Sequence, residues 1–554
     1  MLIEKALDPA FWQAVRTNGA YAHIVEFITK THRECRWDAI PATPYRPRFR
    51  FYSDGDRSEF EGVYFRRRKM LAASALLALI YPEEEVYLED LHEIIWAICD
   101  EYSWVLPAHT KGGLEEDQSY IDLFSAETGF SLAEIDYLLA DRIHPRVRHR
   151  VRHELERRII RNFLTQRFGW ETCRMNWASV CGGNVGGVLM YQQPETFRLY
   201  IPRFISIMDS LIEGFAEDGT CLEGFGYWQY GFGNYVWFAD LLYQFTQGQY
   251  DLLQGEKVER IAGFMQRCFL KGGATVSFAD GTRSGKADPS LQLFLSRKFP
   301  SVHTLPKEQY LFWPGNVMWM QTLRNLLYLD PDPQYPEQAN TCYDLPDAQQ
   351  VILQKDRYAL AIKGGFNDEP HNHNDVGSFI LATDKGQILC DYGAGKYTRQ
   401  YFQVDTRYTM FVNSSLGHSV PIINGTAQGY GAQFRGTLTH EGNRITVDMT
   451  KAYPLELRQV IRCLCYEEDR VTLTDSFDEG VSVTERFVTL CQPEISEGRI
   501  CLNGTDLCYD PEIVTFHWHT EEIPTKQSGF ARMYVLDFDL KPGIRQASFT
   551  IFPR

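Results

Sequence analysis

The texture of this chain changes once along its length, and that change limits the folds open to it. Up to about residue 330 apolar residues recur at helical spacing, whereas past Pro331, Pro333 and Pro336 they alternate. A helix face needs a period near 3.6 and a half-buried strand a period of two, so the two textures predict two different domains. The helical part holds Met70 to Tyr81, Tyr87 to Tyr102, Leu132 to Leu139, Trp177 to Tyr191, Phe197 to Ala216, Tyr235 to Thr246, Val258 to Phe269 and Asn316 to Tyr328. Residues 1 to 30 also read as helical, and the proline-rich stretch from Trp37 to Asp56 reads as irregular. Paired helices joined by loops suggest an α/α toroid, though no tight repeat marks it. The later part holds YALAIKG, RITVDMT, RVTLTDSF, SVTERFVTL and ASFTIFPR, short runs that predict an antiparallel β-sandwich. The expected division is residues 1–335 helical and 336–554 β.

A length of 554 residues allows two to four domains. The net charge of −16 argues against a surface that coats nucleic acid, so an anionic ligand needs a local basic pocket. The arginine-rich stretch from Arg142 to Arg167 is the one place that speaks for nucleic acid. Val147, Val151, Leu155 and Ile159 recur there at i+4, which makes it an amphipathic helix with a basic face. No nucleic-acid partner is expected. No run of 18 apolar residues predicts a membrane span, and no basic-then-apolar leader opens the sequence. The 13 cysteines are scattered without CxxC pairs, which reads as reduced thiols and a cytoplasmic protein, or a secreted or periplasmic one if a leader has been removed.

The densest chemistry lies in PHNHNDVGSFIL, Pro370 to Leu381. His371 and His373 are two apart, so on a strand both face one side. Phe379 to Leu381 and Gln387 to Gly393 read as a hairpin turned at Asp384, Lys385 and Gly386. His373, with Asp391 after that hairpin and His418 in VNSSLGHSVPIING, offers two imidazoles and one carboxylate, a set that suits Zn²⁺ or Fe²⁺. A second dense stretch, DGTCLEGFGYWQYGFGNY from Asp218 to Tyr235, is expected to face it across a cleft.

The pattern HNHNDxGSF, then a strand ending in Asp-x-Gly, then Ser-Ser-x-x-His, resembles the heparinase II/III-like polysaccharide lyases. Gly219 to Gly231 resembles that family's DG…EGxxYxxYG motif, and RMNWASVCGGNVGG, Arg174 to Gly187, resembles its Asn-bearing helix start. The likeness runs in the family's order over roughly residues 50 to 430. It implies a helical toroid followed by a β-sandwich, and β-elimination on an oligosaccharide or polysaccharide of uronic-acid sugars, an anionic substrate. By the same likeness Tyr227 is the acid and a candidate base, with Tyr230 as fallback. His371 is a base or a donor to the uronate carboxylate, Asn176 neutralises that carboxylate, and Glu223 orients the tyrosine. Trp177 stands where some relatives carry a histidine beside the Asn. Tyr397, Tyr401 and Tyr408 are candidates for a second tyrosine. His373, Asp391 and His418 would hold a structural Zn²⁺.

Two other classes fit parts of the sequence. His373, Asp375 and His418 also spell the 2-His-1-carboxylate set of a metal-dependent oxygenase. A glycan-binding protein that kept the fold without the activity is the other. A glycoside hydrolase would need two carboxylates facing one cleft, with Asp218, Glu223 and Asp240 as the available acids.

Overall fold

The protein is described by a computed structural model covering residues 2–36, 40–110, 116–310, 318–330, 336, 339–525 and 529–554. Pro331 and Pro333 of the expected linker lie outside the described residues, as does Asn316, the expected start of the last long helix. That helix is seen over Trp319–Tyr328, and strands begin at Thr341–Leu345. The predicted change of texture therefore appears as a change of architecture.

The helical toroid is built around the helix Asn176–Gln192. Its buried stretch carries Ala178, Gly182, Gly183, Gly186 and Gly187, so three neighbours pack almost onto its backbone. A Cβ added at Gly186 would lie 2.5 Å from the Phe238 ring, and one at Gly182 would lie 2.5 Å from Ile207. These contacts bring in the helices Phe225–Phe245 and Pro194–Glu213, while Gly187 lies under Phe130 of Leu123–Leu138. A second apolar helix, Ser58–Ile80, is buried continuously from Met70 to Ile80, as a run with no polar face requires. Within this half Glu134 is buried and takes hydrogen bonds from Trp319 at 2.8 Å, from Tyr191 at 2.7 Å and from both Arg324 guanidinium nitrogens.

Three helix boundaries differ from the sequence reading. Tyr45–Ser53 is helical despite Pro47, which occupies the first turn, where a helix has no use for the missing N–H. Leu123–Leu138 starts well before Leu132 because Asp122 and Ser125 form a capping box ahead of it. Phe225–Phe245 starts ten residues before Tyr235, through glycines that read as a loop. Gly231 is needed there for packing, since its Cβ would lie 2.9 Å from that of Asn176.

The β half is antiparallel. A five-stranded sheet runs in the order Thr341–Leu345, Gln350–Gln354, Ala359–Lys363, Phe379–Thr383, Gly386–Leu389, and its last two strands are the hairpin expected from the sequence. Nine-stranded and four-stranded sheets complete the sandwich. Against the five-stranded sheet packs a segment that belongs by sequence to the helical half. Leu270, Ala274, Val276 and Phe278 share a core with Leu345, Ile352, Ala359, Ala361, Ile380 and Ala382. This graft anchors the loop Ala279–Gly281 over the β loops and positions the site. Among the described residues no helix is long and apolar enough to cross a membrane.

The arginines of Arg142 to Arg167 are largely spent inside the toroid. Arg148 and Arg152 pair with Asp136, Arg157 and Arg158 with Glu154, and Arg167 with Glu171.

Close packing on Asn176–Gln192 gives an expected outcome. Gly186→Ala pushes a methyl into Phe238 and lowers stability by about 1–3 kcal/mol. Gly226→Ala, at a position with nothing within 4 Å, leaves stability unchanged or slightly raised. Thermal melting of the two variants beside the wild type checks both.

Candidate active site

The site forms where the helix starts of the toroid meet the loops of the β half. Its centre is Asp280, a residue the sequence reading did not single out. Asp280 lies on the grafted loop and is 3% exposed. Its Oδ2 accepts from His371 Nδ1 at 2.7 Å and from the Tyr397 hydroxyl at 3.2 Å. Its Oδ1 accepts from His373 Nε2 at 3.1 Å, from Arg407 at 3.2 Å and from the Tyr401 hydroxyl. Burial pushes the Asp280 carboxyl up, but the two histidine hydrogen bonds and the Arg407 charge outweigh it and hold the group well below the usual carboxylate range. Asp280 is therefore ionised, and it fixes both imidazoles by their N–H groups. The only hint in the sequence was Asp-Gly in SFADGTRSG, which reads as a turn.

His371 and His373 do not lie on a strand, as their spacing suggested. They sit in an irregular loop, with His371 in the left-handed region at φ 57°. They still serve one place, because the loop wraps around Asp280 and presents each ring to one of its oxygens. Ala279, just before Asp280, is also left-handed at φ 56°. Strained backbone on both sides of one carboxylate persists because the surrounding contacts over-determine it.

Tyr227 lies two residues into the helix Phe225–Phe245. Its ring stacks on His371 with centroids 4.3 Å apart, and its hydroxyl lies 2.8 Å from that of Tyr397. Burial, and then the Asp280 charge, raise the Tyr227 phenol, with the Tyr397 hydrogen bond pulling the other way. Glu223, in the turn before that helix, lies 3.4 Å from His371 Nε2 and takes the backbone N–H of Asn176. Burial raises the Glu223 carboxyl, and the nearby His371 opposes the rise. Asn176, Glu223, Tyr227 and Pro370 line one narrow pocket. Of the three candidates for a second tyrosine, Tyr397 meets Tyr227, Tyr401 binds Asp280, and Tyr408 stacks instead on Tyr430 at 4.4 Å.

Tyr230 points elsewhere. Its hydroxyl donates to Glu127 at 2.8 Å on the wall of a separate cavity of about 390 Å³ inside the toroid. Asp218 accepts the backbone N–H groups of Asp347 and Ala348, and Asp240 binds Gln244 and Tyr328. Neither acid joins Glu223 at one cleft.

Beside Asp280, ligand atoms of His373, Asp391 and His418 lie within 4.8 Å of one another, and all three residues are buried. His373 gives its Nε2–H to Asp280, and His418 Nε2 donates to the Val412 carbonyl at 3.0 Å. Asp391 takes the Gly393 N–H on Oδ1 at 2.8 Å. What is left over is His373 Nδ1, His418 Nδ1 and Asp391 Oδ2, three buried atoms without a hydrogen-bond partner. Buried polar groups are rarely orphaned. Two imidazole lone pairs and a carboxylate oxygen, each set by a partner on its other atom, fit a Zn²⁺ ion. Asp375, the acid of the oxygenase alternative, is turned to Lys363 at 2.8 Å, so that reading is not favoured.

A helical toroid followed by antiparallel sheets is the architecture of the heparinase-like polysaccharide lyases, and the chain has that fold. It is similar to heparinase III, at 13% identity and a TM-score of 0.62, over 88% of this chain and 76% of that one. It is also similar to a heparan sulfate lyase from Pedobacter heparinus, at 12% identity and a TM-score of 0.59, over 99% of this chain and 86% of that one. A third solved structure is the chondroitin AC lyase of Streptomyces coelicolor A3 in complex with chondroitin sulphate, at 10% identity and a TM-score of 0.60, over 98% of this chain and 82% of that one. No protein-family model matches the sequence, and neither does any curated protein.

Glu127 yields a prediction of its own. Burial raises its carboxyl to about 7, with the Tyr230 hydrogen bond opposing. The unfolded carboxyl ionises near pH 4, so stability falls as pH rises between these values and levels off above the higher one. Glu127→Gln removes this cost. The variant is expected to match the wild type at pH 4 and to exceed it by up to about 3 kcal/mol above pH 7, read from denaturation midpoints across that range.

Proposed function

We propose that the protein is a lyase that cleaves uronic-acid-containing oligosaccharides or polysaccharides by β-elimination. The observation that carries this reading is the convergence of Tyr227, His371, Asn176 and Glu223 at one seam, with His371 fixed by Asp280. The lyase fold supports it, and the neighbours described as heparan sulfate and chondroitin lyases point to an anionic glycan as substrate.

The C5 proton of a uronate is weakly acidic, so the site must neutralise the carboxylate, remove the proton and protonate the leaving oxygen. The Asn176 side-chain amide, on the wall of that pocket, hydrogen-bonds the uronate carboxylate. His371 gives its Nδ1–H to Asp280, so the Nε2 lone pair is the basic one. It takes the C5 proton, the C–H pair becomes the C4=C5 bond, and the C4–O bond breaks. Tyr227, whose raised phenol is protonated at neutral pH, passes its proton to the leaving oxygen. Glu223 beside Nε2 and Asp280 beside Nδ1 stabilise the imidazolium that forms. Solvent then takes a proton from His371 and returns one to Tyr227.

His373, Asp391 and His418 are proposed to hold Zn²⁺. The ion would supply a structural cross-link that ties the loop carrying His371 to the two segments behind it. His373 bonds Asp280 in either case, so the loop is ordered from both ends.

The first expected outcome is a rise in ultraviolet absorbance from a C4=C5 double bond. It should appear when the protein is incubated with one of heparan, chondroitin, hyaluronan or alginate oligosaccharides. Tyr227→Phe and His371→Ala each lower the rate by about 10²- to 10⁴-fold. New reducing ends without absorbance would mean hydrolysis, and binding with no product of either kind would mean a glycan-binding protein on this fold. The second expected outcome is roughly one zinc per chain in metal analysis. His418→Ala should lose that metal and melt at lower temperature, whereas Tyr227→Phe keeps both. Retention of full metal by His418→Ala would remove the assignment.

A further inference from the structure

The nine-stranded sheet carries a pair of thiols far in sequence from the seam. Cys463 and Cys465 are the most closely spaced cysteines in the chain, two apart on the strand Val460–Tyr466. Residues i and i+2 of a strand share a face. Arg462 and Leu464, both fully buried, take the inward face, so the cysteines take the other. There Cys463 is buried and Cys465 half-buried. Both thiols are free, and their Sγ atoms are 4.0 Å apart. Arg444 pairs with Cys465 across the ladder to the strand Arg444–Asp448, and its Nε donates to the Cys463 sulfur at 2.9 Å. Thr446 stands opposite Cys463 on that strand, and Thr474 and Thr472 stand opposite Cys463 and Cys465 on Val471–Phe477.

This geometry does not suit a disulfide. Cα atoms two apart on a strand are about 6.5 Å from each other, beyond the ~5.5–6 Å that a disulfide favours. Drawing the sulfurs from 4.0 Å into bonding distance would buckle a strand with neighbours on both sides. One bridging ion needs no such movement. With a metal–thiolate bond of about 2.3 Å, two sulfurs on one ion stand up to about 4.6 Å apart. Among the described residues no further His, Cys, Asp or Glu joins the two thiols to make a group of three, so the four-ligand shell of Zn²⁺ is not built here. Two sulfurs flanked by hard hydroxyl groups suit a soft ion content with two ligands. Charge agrees with this. Burial, and then the Cys463 sulfur, raise the Cys465 thiol, with Arg444 opposing. The pair resists two bare negative charges, and a bound cation relieves them. Two thiolates around a monovalent ion keep one net negative charge, which the Arg444 guanidinium offsets.

We propose that Cys463 and Cys465 form a binding site for a soft monovalent metal ion, Cu(I), held between the two sulfurs. Both thiol protons pass to solvent, two Cu–S bonds form, and no atom changes oxidation state. The site does not rest on the lyase reading and would stand if that reading fell.

The test titrates the reduced full-length chain with Cu(I) in oxygen-free buffer against bathocuproine disulfonate, whose absorbance reports the ion it holds. The wild type is expected to keep one Cu(I) per chain against the chelator, with two sulfur neighbours and no nitrogen or oxygen in X-ray absorption. Cys463→Ser and Cys465→Ser each lose one arm of the chelate and are expected to bind about 100-fold more weakly, or worse. Arg444→Gln loses the offsetting charge and falls roughly two- to fivefold. Cys342→Ser, which removes an exposed thiol elsewhere, stays within about threefold of wild type. Cys465 is half-buried, so its variant keeps the test open if Cys463→Ser fails to fold, and matching melting temperatures exclude unfolding as the cause. Undiminished affinity in Cys465→Ser would place the ion on other thiols and overturn the proposal. A wild type stripped of all Cu(I) by the chelator, or nitrogen or oxygen neighbours in its spectrum, would overturn it as well.

Discussion

A single buried carboxylate holds this molecule's site together. Asp280 accepts five donors of three side-chain types, and all five come from β-half segments between His371 and Arg407, while Asp280 itself comes from the helical half of the chain. A carboxylate taken out of water is costly unless its lone pairs are filled and its charge is matched. Here Arg407 supplies the charge and the other four donors supply geometry. Arg407 also donates to the backbone carbonyls of Asn372, His371 and Tyr401, so the same guanidinium ties down the loop that bears the histidines. Removing the carboxylate would leave a buried cation and two unanchored imidazoles at once.

That arrangement links the proposed chemistry to the proposed metal. His371 and His373 flank Asn372 and bind different oxygens of Asp280. One ring turns its remaining nitrogen toward Glu223 and the cleft, and the other toward Asp391 and His418. The proposed metal triad and the proposed reaction centre are therefore two sides of one hydrogen-bonded wall. An ion on the buried side would hold the reactive histidine in place without touching the substrate, which is what a structural site of this kind can contribute.

The broad architecture was legible because periodicity is a local property. Helical and alternating stretches, the hairpin at Asp384 and Lys385, and the grouping of His373 with Asp391 and His418 all follow from residues near one another in sequence or from a motif. Asp280 was not legible, since its role depends on a loop from the helical half being grafted onto a β-sheet more than sixty residues away in the chain. The glycines from Gly226 to Gly233 misled for a related reason. They read as loop residues, yet they are helical, and at Gly231 the start of the neighbouring helix at Asn176 fills the space that a side chain would otherwise take. Tyr230 was equally opaque: one helical turn beyond Tyr227, it faces a different cavity, and only the phase of the helix decides that.

Under the proposed function, an acidic chain has to accept an acidic sugar at this seam. With a net charge of −16, long-range attraction cannot gather such a substrate. Most of the arginines that the sequence offered as a basic face are paired within the toroid, and Arg407 is committed to Asp280. In the proposed reaction, neutralising a uronate carboxylate therefore falls to short-range polar groups such as the Asn176 side-chain amide. Such groups act only at hydrogen-bond distance, and their strength depends on exclusion of water and on fixed geometry. Fixed geometry in turn requires that toroid and sandwich not drift relative to each other, because Asn176 and Tyr227 belong to one and His371 to the other. Asp280, carried by a toroid loop and bound by β-domain side chains, is the group placed to enforce it.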